Sequence, residues 1–369
     1  MSYEYLLKNL IRIKSYSGKE ENLKNFIEKY FFENNISTIK QEGNLLVHIK
    51  GRDRSRAIIF NSHMDTVSAG DEKLWRYGAW SPTSEDKKII GLGSSDMKSG
   101  LATSMLTATK FTNTKPPVDL WFTYVVKEEQ DGSGTKSFTK WFTKKGYLKL
   151  YSKIAAIFTE PTGLSEIEIG HRGNIFISVS TKGNSGHASK PQNIKKHAVR
   201  EMIKFSDKLA LEMKNWQKEF KDNVFDPPTV GEITSIKAGD SPNKFPATCE
   251  ATFDIRTTPN FHKVAISRIK LLGKKTGAKI TLAFPPAPAG YTNPNKKIVK
   301  SAKKVLKKSQ LTVSQGAADL GFLTNIGIES IIFGPGEKEQ AHRTDEYCYP
   351  DQIPQAVNIY KAIVEAWAK

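Results

Sequence analysis

Cysteine is scarce in this chain. Only Cys249 and Cys348 occur among 369 residues, far apart and at no metal-ligand or redox spacing. That excludes a disulfide framework and a cysteine-based zinc module, and it fits a reducing compartment. Long apolar runs are missing too, and none approaches the roughly 18 residues that a bilayer-crossing helix needs. The stretch from Met1 to Lys19 alternates apolar and charged residues without a continuous hydrophobic segment, so no secretory signal is expected. A cytoplasmic location is therefore the expectation. There is no internal repeat, no long low-complexity segment, and no motif for a serine or cysteine nucleophile.

Acid is short relative to base: 38 Asp and Glu stand against 56 Lys and Arg, a net charge of +18. Such an excess raises nucleic-acid or membrane binding as a reading. Its densest tract holds Lys296, Lys297, Lys300, Lys303, Lys304, Lys307 and Lys308, but Ile298, Val299, Ala302, Val305 and Leu306 recur there at helical spacing. The tract therefore reads as one amphipathic helix with its lysines in water. The remaining basic residues form scattered pairs without interleaved aromatics. No nucleic-acid or membrane partner is expected, although a positive field would attract an anionic small substrate.

What is present is an alternation of strands and helices. The opening residues read as helix, followed by a capping box in which Ser17 and Glu20 precede Leu23, Phe26, Ile27 and Tyr30. Buried strands are expected at Leu45–Ile49, Ala57–Asn61, Asp119–Val126 and Ile154–Phe158, with a helix at 98–111. This predicts an α/β fold with a mixed, largely parallel sheet. The character changes near residue 170. A strand at Asn174–Thr181, a helix at Ala198–Phe220, a strand at Cys249–Arg256, a helix at Lys263–Leu272 and a strand at Ile280–Ala283 form a second, smaller α/β series. The breaker-rich Pro285-Pro286-Ala287-Pro288-Ala289-Gly290 marks its exit. A strand at Ser330–Phe333 and a helix from Asp351 would then complete the first domain. The expected plan is a discontinuous domain, 1–170 with 286–369, holding an inserted domain at 171–285.

Acids and histidines cluster at the predicted strand ends. His63 and Asp65 follow one strand, and their i, i+2 spacing sets both side chains on one face of extended chain. Asp96 lies in a glycine-rich turn before a helix; alone it reads equally as a helix cap. Glu128 and Glu129 end another buried strand, where adjacent carboxylates point to opposite sides; alone they read equally as a solvated pair. Glu160 and His342 follow two further strands. Ligands of open α/β sheets bind at such ends, and a His/Asp/Glu set without cysteine suits catalytic rather than structural zinc.

The segments SHMDTV, GLGSSDMKSGLA, KEEQDGSGT, TEPTG, GNSGHAS, DSPNKFPATCEATFDIR and GPGEKEQAHRTDEY run in this order along nearly the whole chain. In this the sequence resembles the dinuclear zinc M20 metallopeptidases, a family that includes acetylornithine deacetylase, succinyl-diaminopimelate desuccinylase and glutamate carboxypeptidase. The resemblance implies two Zn2+ per chain, with Co2+ or Mn2+ as possible substitutes. Asp96 would bridge them, His63 and Glu160 completing one site and Glu129 and His342 the other. Glu128 would be the general base, and Asp65 the partner that orients His63. The peptide after Asp96 would be cis. The inserted domain would be the family's lid or dimerisation domain, with His187 acting across a homodimer. Arg256 and Asn243 match positions used for the substrate carboxylate and its surroundings; Arg172 reads as a further substrate-binding candidate or equally as a solvent-exposed residue. His48, His171, His197 and His262 are left as structural.

The same resemblance sets the expected reaction: hydrolysis of the amide bond of a small N-acyl amino acid or peptide. Glu160 at the third-ligand position, the tail around His342 and the stretch before Arg256 look most like acetylornithine deacetylase, which would place the protein in amino-acid biosynthesis. Succinyl-diaminopimelate desuccinylation comes next, then carboxypeptidase or dipeptidase activity. Ser95 and the Lys98-Ser99 pair depart from the family's commoner form of that turn. A non-catalytic or nucleic-acid-binding protein on the same fold is the alternative of a different class.

Overall fold

The computed structural model of the chain describes residues 2–227 and 229–369. They form two compact units. One comprises residues 1–170, 291–312 and 318–369, and the other residues 171–290 and 313–317.

The first unit is organised by a nine-stranded sheet. From one edge its first seven strands run Thr38–Gln41, Asn44–Ile49, Val118–Val125, Asp53–His63, Lys153–Phe158, Glu329–Ile332 and Glu166–His171. The four central neighbours from Val118–Val125 to Glu329–Ile332 pair in parallel, and antiparallel strands flank them. Every residue of Val118–Val125 is buried, as a strand covered on both faces requires. On one face Ala57, Ile59 and Trp121 pack with Phe138, Phe142, Leu320 and Leu323. On the other, Phe60 stacks on Phe122 at 4.9 Å and meets Tyr360 at 5.2 Å. Tyr360 belongs to the helix Gln352–Ala368, which packs against Ser99–Asn113. Asp119, a fully buried acid of this apolar sheet, is well supplied with donors. It accepts from Gly51 N at 2.8 Å, Arg54 Nε and Tyr151 Oη, and pairs with His48, which lies stacked on Trp121.

The lysine tract folds as a helix over Lys297–Val305 only, burying Ile298, Val299 and Ala302. It stops short of the expected end because the chain turns at Leu306–Ser309, where Lys303 Nζ reaches back to the Ser309 carbonyl at 2.5 Å. The capping box is not formed. The helix Glu21–Glu33 starts without a side-chain cap, and Ser17 and Glu20 make other contacts. Glu166–His171 and Gln310–Ser314 are strands that the sequence pattern alone did not announce.

The second unit is a four-stranded antiparallel sheet in the order Val230–Ala238, Thr248–Thr257, Gly173–Lys182, Lys279–Leu282. Its two central strands alternate buried and partly exposed residues, the signature of a sheet with one covered face. Helices Ala198–Glu219 and Pro259–Thr276 supply the cover, with Met202, Phe205, Leu209, Phe261 and Ile269 in the shared core. Thr258 caps the second helix and Pro259 opens it. Gly277, at a φ of 70°, ends it in the left-handed conformation that glycine adopts most cheaply. The strand Val230–Ala238 was not foreseen; it is an edge strand with no buried residue, so it lacks the apolar alternation by which strands are read.

Candidate metal centre

Parallel strands end on one side of the sheet, so the loops leaving those ends converge. His63 is the last residue of Asp53–His63, Glu128 and Glu129 lie just past Val118–Val125, and Glu160 lies just past Lys153–Phe158. His342 comes from the loop after Glu329–Ile332, at a φ of 62°. Asp96 sits between the glycine turn and the helix Ser99–Asn113. It does not cap that helix, since the cap position is Lys98, and Asp96 and Met97 leave helical geometry. The Asp96–Met97 peptide is cis.

Asp96 stands between two groups of donors. Its Oδ1 lies 3.2 Å from His63 Nε2, while its Oδ2 lies 3.5 Å from His342 Nε2. His63 Nε2 is also 3.6 Å from Glu160 Oε1, and His342 Nε2 is 2.9 Å from Glu129 Oε2. Two clusters able to hold a cation result, His63–Asp96–Glu160 and Asp96–Glu129–His342, sharing Asp96. Glu128 joins neither, so the adjacent carboxylates serve different directions. The tautomer of His63 is fixed by its surroundings. Its Nδ1 faces the Asp65 carbonyl oxygen at 2.9 Å, an acceptor only, so the neutral ring keeps its proton on Nδ1 and leaves Nε2 to ligate a cation in place of a proton.

Charge makes the same demand. Burial raises Glu128 well above the carboxylate range, and Asp319, Glu160 and Glu129 push it further. Burial likewise raises Glu129, with Asp96 adding to it and His342 opposing; Glu160 is raised by burial against the pull of His63. His342 is lifted to about 9, chiefly by its bond to Glu129. Burial works against a charged His63, but Glu160, Asp65 and Asp96 outweigh it. So many acids withdrawn from water need compensating positive charge, which protons supply only in part. Hard or borderline divalent cations fit the oxygen and imidazole donors present.

Comparison with known proteins agrees with this geometry. Residues 59–366 match the peptidase family M20/M25/M40. The chain belongs to this family. It is 30% identical over 363 residues to an acetylornithine deacetylase of Buchnera aphidicola subsp. Schizaphis graminum, covering 93% of this chain and 89% of that protein. It is 25% identical to a succinyl-diaminopimelate desuccinylase of Nautilia profundicola, with 98% of each chain covered. Its fold matches that of a Bacillus subtilis protein described as a dinuclear metal-binding peptidase of the M20 family, with a TM-score of 0.73, 14% identity, and 98% and 96% of the two chains covered. The protein is thus an M20 hydrolase.

Asp65 meets His63 more closely through its main chain than through its side chain. Its carboxylate lies 3.6 Å from His63 Nδ1, farther than the carbonyl of the same residue. The carboxylate's close partners are the amides of Glu128 and Glu129, both at 3.1 Å, and the Ser17 hydroxyl at 2.6 Å. Glu20, the other half of the unformed cap, accepts from the amides of Gly18 and Lys127. Helix-entry residues thus brace the turn that carries Glu128 and Glu129. Buried acids that escaped sequence reasoning include Asp319 and Glu346. Asp319 is raised to about 7 by burial, and its Oδ2 has no hydrogen-bond partner among the described residues. Glu346 turns its carboxylate onto the backbone of the Asp96 turn. An acid four residues beyond His342 was visible in the tail segment, but nothing local gave its direction.

Within the second unit, His187 and Asn243 are neighbours. His187 pairs with Lys244 in a two-stranded ribbon, and Ala188 N donates to the Asn243 carbonyl at 2.8 Å. Both side chains are exposed, and His187 Nδ1 is bonded to Ser189. Arg256 pairs with Asp254 at 2.9 Å. Arg172 is 1% exposed, and its guanidinium donates to the Gln315 side chain and the Pro227 carbonyl. His197 caps the helix Ala198–Glu219, and His262 is bonded to Thr257. No helix among the described residues is long and apolar enough to cross a membrane.

Proposed function

We propose that this M20 hydrolase cleaves the amide bond of a small N-acyl amino acid, with N-acetylornithine the first candidate, using two divalent cations, zinc foremost. The observation that carries the reading is the division of Asp96, one carboxylate oxygen facing His63 and the other facing His342. His63 and Glu160 would hold one cation with it, and Glu129 and His342 the other.

Such a pair supplies Lewis-acid polarisation of the scissile carbonyl and lowers the pKa of water toward neutrality. The rest falls to the protein. Glu128, half-buried and raised above its ordinary range with Glu160 and Glu129 among the acids that raise it, accepts the proton of the attacking water and returns it to the departing nitrogen. Asp65 holds the Glu128 amide so that the carboxylate has one address. Arg256 offers a planar fork for the substrate carboxylate, with Asn243 beside His187 as the next candidate on that unit, while the buried, already bonded Arg172 is a poor one. His187 supplies a hydrogen-bond donor to the carbonyl oxygen as negative charge develops there. The active form is a cytoplasmic homodimer in this reading, with His187 serving the partner subunit's site.

The sequence similarity to proteins named acetylornithine deacetylase and succinyl-diaminopimelate desuccinylase supports an acyl amino acid over a longer peptide. The test is direct: zinc-loaded protein incubated with N-acetylornithine, N-succinyl-diaminopimelate and simple dipeptides. The highest kcat/KM is expected on N-acetylornithine. Equal or faster turnover of a competitor would transfer the assignment to that substrate.

A further inference from the structure

The loop that carries His342 is pinned at both ends to the turn that carries Asp96, and the pins are two residues outside the ligand set. Ser95 Oγ ties both ends, accepting the Glu337 amide at 2.7 Å at one and donating to the Tyr347 carbonyl at 3.0 Å beside the other. At the other, the Glu346 carboxylate accepts three amides of that turn: Ser95 N at 2.7 Å and Asp96 N at 2.8 Å on Oε1, and Gly93 N at 2.7 Å on Oε2. Successive amides around a left-handed glycine, here Gly93 at a φ of 79°, form the kind of concavity that receives an anion. In this chain the carboxyl oxygens of a buried side chain occupy it.

Close approach makes the clasp possible. A Cβ placed on Gly336, whose φ is 94°, would lie 2.8 Å from the Ser95 carbonyl oxygen, so no larger residue could stand there. Gln352 braces the same end from outside, accepting from Gly336 N and donating to Glu337 Oε1, each at 2.8 Å. Ser95 and Glu346 are both essentially inaccessible to solvent, whereas the His342 side chain between the pins is 53% exposed. An exposed ligand on a loop keeps its position only if the loop's ends are fixed. Those ends are fixed to the very turn whose Asp96 is the shared ligand.

We propose that Ser95 and Glu346 are positioning residues for the metal pair. Ser95 governs the cation of Asp96, Glu129 and His342, and Glu346 governs Asp96 itself and so both cations. The inference rests on the two-metal reading and goes beyond it by separating the two positions. No residue of the His63–Asp96–Glu160 cluster comes from the loop that Ser95 ties, so loss of the Ser95 hydroxyl should spare that position.

The experiment titrates metal-free protein with Co2+, following visible absorption, and measures zinc content after loading and dialysis. Wild type is expected to hold two ions per chain. Ser95→Ala should keep one ion at unchanged affinity and bind the other roughly 10–100-fold more weakly, the usual scale for losing a partner behind the ligands. Glu346→Gln, which sets an amide nitrogen against backbone donors, should weaken both. Should Ser95→Ala fail to fold, Gln352→Ala relaxes the same pin and should show the same one-site loss. Two ions at wild-type affinity in the serine variant, or equal weakening of both, would overturn the assignment. Wild type holding fewer than two ions would instead overturn the two-metal reading on which it rests.

Discussion

The Asp65 carboxylate accepts the backbone amide of Glu128 at 3.1 Å, and its second oxygen accepts the next amide, that of Glu129, at the same distance. One buried acid therefore fixes the turn from which the proposed base and a proposed metal ligand both project, and it does so through backbone that no substitution at Glu128 or Glu129 alters. Asp65→Asn replaces one accepting oxygen with an NH2 group that faces donors already in place. Activity or metal affinity is expected to fall by roughly 10–100-fold, as for other residues that orient ligands. Kinetics combined with metal titration measures it, and a variant indistinguishable from wild type in both would remove Asp65 from the machinery.

Glu128 and Glu129 should separate cleanly on substitution. Glu128→Ala is expected to fold and keep both metals while losing at least about two orders of magnitude in kcat, the contribution of a general base. Glu129→Ala should lose metal, because its carboxylate is the one that meets His342. Zinc content and kcat measured side by side decide the matter; exchanged phenotypes would mean exchanged roles.

Protons and metals compete for this centre, and the sign of that competition can be stated. Burial holds Glu129 protonated up to about 7 in the metal-free fold, and His342 stays protonated to about 9 because of Glu129. Both folded-state values lie above the unfolded ones, so these groups add stability below their unfolded values and lose it as pH rises through the folded ones. A cation must displace those protons to bind. The rise in Tm on adding Zn2+ should therefore grow as pH climbs from about 6 to about 9, the range in which Glu129 and then His342 release their protons. Thermal unfolding with chelator and with zinc at each pH measures the difference. A rise that stays flat or shrinks with pH would contradict the assignment of these ligands.

The homodimer proposal has its own test. One chain carrying Glu128→Ala is mixed with another carrying His187→Ala, each nearly inactive alone. If His187 serves the partner subunit, the mixed dimer contains one site with both groups intact and activity partly returns. Demonstrated heterodimers without recovery would place His187 in its own chain's site or outside catalysis.

The sequence by itself determined a good deal of this molecule. Central strands such as Val118–Val125 are legible because covering both faces forces a continuous apolar run, and the acids just beyond them stand out against it. The metal-ligand candidates were legible as a set, because parallel strands must end on one side and the residues just beyond them must meet. Local chemistry was read less well wherever a residue had a distant partner. Ser17 and Glu20 have the spacing of a helix cap, yet one bonds Asp65 and the other the Lys127 amide, 48 and 107 residues away. Val230–Ala238 was silent because an edge strand with no buried face needs no apolar alternation. The tertiary structure alone decided that Asp65 grips the Glu128–Glu129 backbone rather than chiefly the His63 ring, and that Glu346 fills the turn beside Asp96. The physical reason is the same in each case. A side chain's type fixes what it can bond, but only the folded chain decides which amide arrives within hydrogen-bond reach of it.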